Sequence, residues 1–180
     1  FCRGSGLSAL FRGSTLFDPE SLGRWPRDTV REVDIVSGCV LLIRRDLWDR
    51  LNGFDERFHM YAEDFDLSMR AVEAGARPII CPEATIIHYG GASERVAVDL
   101  WVRQYVARVQ LFAKHWRPMA ARFGAWCLDW WTVNRMLGSA VLGLANPARR
   151  GAAATWWRVL RRRREWHAPL SGSAAPGGAR

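Results

Sequence analysis

Two acidic residues in tandem, Glu63 and Asp64, and one histidine, His88, have the types and spacing best suited to chemistry in this sequence. The acidic pair opens a helical pattern, and a carboxylate held at a helix mouth can act as a general base on a hydroxyl. Acids there also simply complement the helix dipole, and local chemistry alone favours that plainer role. His88 lies twenty-two residues past Asp66 and leads into Tyr89-Gly90-Gly91. At the end of an extended piece it stands where α/β proteins place ligand contacts, as a metal ligand or a base. A lone histidine is nevertheless more often a hydrogen-bonded structural residue. Gly90-Gly91 can offer backbone amides to a phosphate or merely turn the chain. Arg44-Arg45 can meet a pyrophosphate, although a solvated strand end is the commoner use of such a pair.

The elements that must position these residues follow from period and punctuation. Residues 1–32, rich in Gly, Ser, Arg and Pro, read as loop with short helical turns. Residues 33–43 form an apolar run that suits a buried strand, broken by Ser37-Gly38. Gly38 inside it marks a bulge or the close approach of a ligand. Asp46 is expected to cap a short helix that reaches about Leu51 and stops at Asn52-Gly53. Residues 63–74 predict a helix with Glu63, Asp64 and Asp66 at its start, an Asp66–Arg70 pair one turn apart and Gly75 as its stop. Residues 78–81 and 85–88 read as short extended pieces. Strand, helix and strand in alternation imply an α/β layer with only a partial sheet.

From Val96 the period becomes helical. Val102, Tyr105, Val109, Phe112 and Trp116 recur on one face, opposite Arg103, Ala107, Gln110 and Lys114, until Pro118. A second helix is expected over residues 123–144, with Asp129, Thr132, Arg135 and Ser139 as a polar stripe. A membrane span needs ~20 largely uncharged residues, and residues 136–145 supply half of that, so a spanning helix is rejected. Asn146-Pro147 sets off a last helix, residues 152–166, which carries Trp156, Trp157, Trp166 and the arginine run 161–164. The small residues and prolines of 168–180 predict a disordered tail. The expected domains are therefore 1–95, a basic, Trp-rich helical extension over 96–167, and the tail 168–180.

With 180 residues the chain can bury a real core, and ten Trp is an unusual number. Phe1 in place of an initiating Met fits a segment of a longer product. Of the 26 basic residues only Lys114 is lysine. The net charge of +8 divides unevenly: residues 1–95 carry 12 basic against 15 acidic side chains, residues 96–180 carry 14 against 3. A half so basic favours a phosphate-rich surface, either anionic lipid or nucleic acid. Its Trp-rich last helix fits a membrane surface or a solvated Arg face equally well, and nucleic acid less, since no binding module accompanies the basic run. Cys2, Cys39, Cys81 and Cys127 have no C-x-x-C spacing, which speaks against zinc fingers and redox motifs. No signal-peptide-like apolar stretch follows the first residues, so a cytosolic, reducing context is expected.

Individually weak, these signals gain from their order. The elements G-F-D-E-x-F at Gly53, E-D-x-D-L-x-x-R at Glu63, the Gly75 stop and H-x-G-G at His88 resemble the C-terminal catalytic half of family-two inverting glycosyltransferases, across residues 34–93. The resemblance is to the bacterial rhamnosyltransferase-like branch, which builds O-antigen, exopolysaccharide or cell-wall glycans. It implies a partial GT-A, Rossmann-like sheet with a C-terminal helical extension. It implies Asp64 as the base that deprotonates the acceptor, Glu63 beside it, and His88 near the donor diphosphate or on a divalent metal, Mg or Mn. Arg44, Gly90 and Gly91 would lie toward the diphosphate, and Ser37, Gly38, Phe58 and Tyr61 toward the acceptor. The donor would be a nucleotide sugar, and the acceptor a glycan or a polyprenyl-linked sugar. The basic half would dock on the anionic inner face of a bacterial plasma membrane, and nucleic acid is not expected as a partner. Relatives carry an earlier V-S-V-I-I-P-T-Y-N-like strand, a nucleotide-binding half and an acidic D-x-D-type motif. This sequence has no counterpart of that half, so the 180-residue chain alone is expected to have little or no transferase activity. The alternative is a truncated, non-catalytic remnant that binds a membrane or a partner through its basic half.

Overall fold

A computed structural model describes residues 11–14, 16, 22, 24–88, 97–146 and 150–171. They belong to two compact units, Pro26–Ser93 and a second comprising Phe1–Trp25 with Glu94–Arg180.

In the first unit the apolar run at 33–43 does not become the expected buried strand. The strands described are β1 (Arg31–Glu32) and β2 (Ile79–Ile80), paired antiparallel with Arg31 opposite Ile80. The Val33 N–H extends the pairing to the Pro78 carbonyl at 2.9 Å. Beyond that point the run is irregular and much of it is open, with Leu42 96% exposed. A β-prone run is stable as a buried strand only between partner strands that satisfy its backbone and cover both faces. The described residues provide no such partners. Residues 85–88 likewise form no strand, and Ile87 is 82% exposed. The partial α/β sheet expected from the sequence is thus reduced to a two-residue ladder beside two helices.

Helix α1 (Arg45–Leu51) begins without a side-chain cap, so Asp46 is not the capping residue expected. It sits in the first turn, where its charge still suits the helix dipole. The helix ends at Asn52 in left-handed geometry. Gly53 follows at φ +66, and a Cβ there would come within 2.9 Å of the Trp48 ring, so both backbone and space require glycine. Helix α2 (Glu63–Glu73) ends as its sequence predicts. Gly75, at φ +85, and Ala76 return their N–H groups to the carbonyls of Val72 and Ala71, a Schellman closure.

The second unit is a helical assembly of α3 (Ala97–His115), α4 (Pro118–Ala145), α5 (Arg150–Arg161) and α6 (Arg163–His167), closed by a 3-10 turn at Ala168–Ser171. Pro118 both ends α3 and starts α4, where its missing N–H costs nothing. The core consists of Val102, Tyr105, Val109, Ala125, Val159 and Trp166, wrapped by Trp101, Phe112, Leu128 and Trp131. Trp101 alone makes ring contacts with Tyr105, Trp131 and Trp156. Leu170 packs against this core, so residues 168–171, expected in the tail, are held by apolar contact; residues 172–180 lie outside the described residues. Ala107, placed on the solvent face by periodicity, is buried: the core wraps more of α3 than its large apolar residues mark.

Helix α4 carries the polar residues read from its sequence, and its packing engages several of them. Thr132 is fully buried, and its hydroxyl lies 3.2 Å from the Tyr105 hydroxyl. Asp129 accepts hydrogen bonds from Trp166 Nε1 at 3.0 Å and from His167 Nε2 at 3.0 Å. Arg135 lies over the Trp156 ring at 5.1 Å. Asp129 and Thr132 therefore face the packing seam, where Tyr105, Trp166 and His167 satisfy them, while Arg135 stays exposed beside Trp156. No helix among the described residues is long and apolar enough to cross a membrane.

Candidate active site

The turn that leads into α2 begins at Gly53. Phe58, fully packed at 6% exposure, closes it with an N–H bond of 3.0 Å to the Asp55 carbonyl. Arg57 and Asp55 pair at 2.6 Å, and this carboxylate raises the arginine's pKa. Tyr61 and Ala62 then adopt left-handed backbone at φ +71 and +66. Two successive non-glycine residues there cost roughly 1–2 kcal/mol each. That strain falls immediately before Glu63 and Asp64, as it commonly does at functional sites.

Asp64 is held from two directions. The Gly38 N–H donates to Oδ2 at 2.7 Å, and the Phe65 N–H donates to Oδ1 at 2.9 Å. One turn on, the Ser68 hydroxyl donates to the Asp64 carbonyl at 2.8 Å and accepts the Val36 N–H at 3.3 Å. Two N–H groups of the irregular segment are thus pinned to one face of α2. A Cβ at Gly38 would lie 3.2 Å from Asp64 Cβ, so glycine permits the approach. The close approach that Gly38 signalled in the sequence is made by Asp64. Each carboxylate oxygen of Asp64 keeps lone pairs beyond its single N–H bond, so the group can still accept a proton from a hydroxyl.

Glu63, its neighbour, has a buried Oε2 with no hydrogen-bond partner. Unsatisfied buried oxygens are rare, and this one can receive a donor from a molecule bound there. Beneath both, Asp66 is fully buried and pairs with Arg70 Nε at 2.7 Å. The same guanidinium donates to the carbonyls of Leu51 at 2.7 Å and Gly53 at 2.8 Å. One side chain therefore ties the end of α1 to the body of α2. Periodicity gave the Asp66–Arg70 pair. The two carbonyls and the Ser68 bridge were missed, and the only local sign of the latter was a small polar residue four positions after Asp64.

The remaining candidates are less gathered. Ser37 and Gly38 are exposed on the pinned segment, the Ser37 hydroxyl donating to Cys39 Sγ at 3.2 Å. Tyr61 is half-buried beside Ala62. Arg44, expected toward a diphosphate, gives both Nε and Nη2 to Asp46 on the surface, which lowers the Asp46 pKa. His88 is exposed on an irregular segment, and Gly90 and Gly91 lie outside the described residues. Among the described residues no three His, Cys, Asp or Glu side chains come together as a metal site. The residues described therefore do not by themselves fit a divalent cation at His88.

The family described as glycosyltransferase like family 2 matches residues 21–107. Curated relatives align with part of the chain. An N-acetylglucosaminyl-diphospho-decaprenol L-rhamnosyltransferase of Mycobacterium tuberculosis is 42% identical over 59 residues, 33% of this chain and 19% of the relative. The rhamnosyltransferase WbbL of Escherichia coli is 41% identical over 68 residues, 38% of this chain and 25% of the relative. The O-antigen biosynthesis protein RfbC of Myxococcus xanthus is 33% identical over 82 residues, 43% of this chain and 6% of the relative. The aligned stretch spans a quarter or less of the length of each of these relatives. No solved structure matches the chain significantly. Just under half of the chain, residues 21–107, thus matches the glycosyltransferase-like family 2, and the chain is similar in part to bacterial rhamnosyltransferases.

Proposed function

We propose that this chain carries the acceptor-side, base-bearing part of an inverting glycosyltransferase that builds a bacterial surface polysaccharide. The observation that supports it best is Asp64, clamped at the start of α2 by the Gly38 N–H within the family-matched region. In this reading the acceptor hydroxyl oxygen attacks the anomeric carbon of a nucleotide sugar. Its proton passes to Asp64 while the bond from that carbon to the diphosphate oxygen breaks, and the nucleoside diphosphate leaves from the opposite face. Glu63 accepts a second hydroxyl of the acceptor through its unpartnered Oε2. Ser37, Gly38, Phe58 and Tyr61 border the acceptor, and Arg44, His88, Gly90 and Gly91 belong toward the diphosphate. A divalent cation, Mg or Mn, would take ligands beyond the described residues, and no step above depends on it.

The acceptor is a polyprenyl-diphosphate-linked sugar, a class suggested by the name of the mycobacterial relative. The basic half holds the protein against the anionic inner face of the plasma membrane, where each basic side chain near the surface contributes about 1 kcal/mol. In the catalytically competent protein, Asp64→Asn should lower kcat by about a hundredfold or more while donor affinity stays within about twofold. Near-normal turnover would remove Asp64 from the role. The 180-residue chain by itself should show no sugar-nucleotide turnover, and measurable product from the purified chain would refute that.

A further inference from the structure

Helix α4 buries its small residues and exposes its large ones. Ala121, Gly124, Ala125, Thr132 and Gly143 face the packed side. Met119, Phe123, Trp126, Trp130, Leu137, Val141 and Leu144 are 42–83% exposed. These seven recur at three, four and seven residues, so they form one apolar stripe along the length of the helix. Phe123, Trp126 and Trp130 stack along it, with centroids 5.8 and 6.1 Å apart. At 1.5 Å per residue the 28 residues extend about 42 Å. A free apolar stripe of that size marks an interaction surface.

Charge selects the occupant. Residues 96–180 contain only three acidic side chains, and each is engaged inside the helical unit. Arg162 pairs with Asp99 and Glu165, and Asp129 holds Trp166 and His167. Arg117 and Arg122 are exposed at the start of α4, Arg122 on the flank of the stripe beside Phe123. On α5, Trp157, Arg158 and Arg161 are exposed as well. A second copy would bring together two segments that each carry 14 basic against 3 acidic side chains, which like-charge repulsion opposes. An anionic bilayer offers apolar depth and negative headgroups together.

We infer that α4 lies flat in the interface of an anionic bilayer, its Met119–Leu144 stripe in the acyl boundary and Arg122 among the headgroups. The inference rests on the membrane-surface reading above, and it assigns the insertion to α4 in place of the Trp-rich basic α5. The stripe enters about 5–10 Å, with Trp126 and Trp130 at headgroup level.

The test uses the full chain with vesicles of phosphatidylglycerol and phosphatidylcholine at low salt. The wild type should bind with a blue shift in Trp emission, and vesicles of phosphatidylcholine alone should bind it far less. The double variant Phe123→Ser/Trp130→Ser, with unchanged helicity by circular dichroism, should bind about tenfold or more weakly. Leu137→Glu gives an independent reading at the far end of the stripe if the first variant fails to fold. Wild-type binding that neither variant alters would overturn the α4 assignment and leave the membrane reading standing. Absence of wild-type binding would sink both. Variants that turn a dimer into a monomer at unchanged vesicle affinity would identify a second copy as the occupant and overturn the inference.

Discussion

Arg70→Met isolates the feature on which the position of Asp64 depends. The substitution keeps an apolar stem of similar length and removes three charge-assisted bonds, one to Asp66 and two to the carbonyls of Leu51 and Gly53. Asp66 is fully buried and Arg70 is 18% exposed, so solvent cannot replace the lost partner without opening the helix packing. Breaking one side of such a pair costs about 3–5 kcal/mol, mostly from the charge left behind. A unit of about 68 residues has a total stability of roughly 3–10 kcal/mol. The loss is thus comparable with everything that keeps Pro26–Ser93 folded. Hydrogen exchange on the full chain measures it: amide protection in α2 should fall about a hundredfold or more, while α3 serves as an unaffected internal reference. The exposed pair Arg77–Glu32, at 3.2 Å, provides the control, and Arg77→Met should change nothing measurable. A fall in α2 protection below about fivefold after Arg70→Met would refute the reasoning, because that is under about 1 kcal/mol.

Burial raises the Tyr105 hydroxyl to a pKa of about 12, so between pH 10 and 12 the unfolded chain releases a proton that the folded unit retains. The helical unit should then be unaffected by this group below pH 10 and lose about 2–3 kcal/mol as pH rises from 10 to 12, seen as a falling denaturant midpoint that Tyr105→Phe abolishes. Gly124→Ala would place a Cβ 2.8 Å from the Phe112 ring, and its overpacking cost of about 1–3 kcal/mol should exceed the roughly 1 kcal/mol gained in helix propensity. Gly138→Ala meets no atom within 4 Å in the same helix and should stabilise by about 0.5–1 kcal/mol, so thermal unfolding should move in opposite directions for the two variants.

The parts of this fold legible in the sequence are those that local chemistry determines. The acidic start of α2, its Asp66–Arg70 pair and its Gly75 stop lie within one helix and its flanks, where spacing converts directly into contact. The run at 33–43 failed because apolar, β-branched residues record a need for strand partners and carry no information on whether those partners are beside them. The stripe of Asp129, Thr132 and Arg135 was legible, but its partners were not, for a related reason. A polar residue faces water by default, but Tyr105, Trp156 and Trp166 come from other helices and supply what water would. For the site, motif order singled out Asp64. The Gly38 amide that holds it comes from 26 residues away, across a tertiary contact that no local pattern encodes.

The loop between Gly53 and Ala62 has both ends fixed by groups outside it. Its first carbonyl is bound by Arg70, and the carbonyl of its last residue accepts the Asp66 N–H at 2.9 Å, at the entry of α2. Asp66 and Arg70 are themselves joined, so the two anchor points form a closed bracket across which the loop is strung. The separation of the loop's ends is therefore set from outside it, and the chain between them must fit that span: Phe58 packs inward, and Tyr61 and Ala62 take up left-handed backbone just ahead of Asp64.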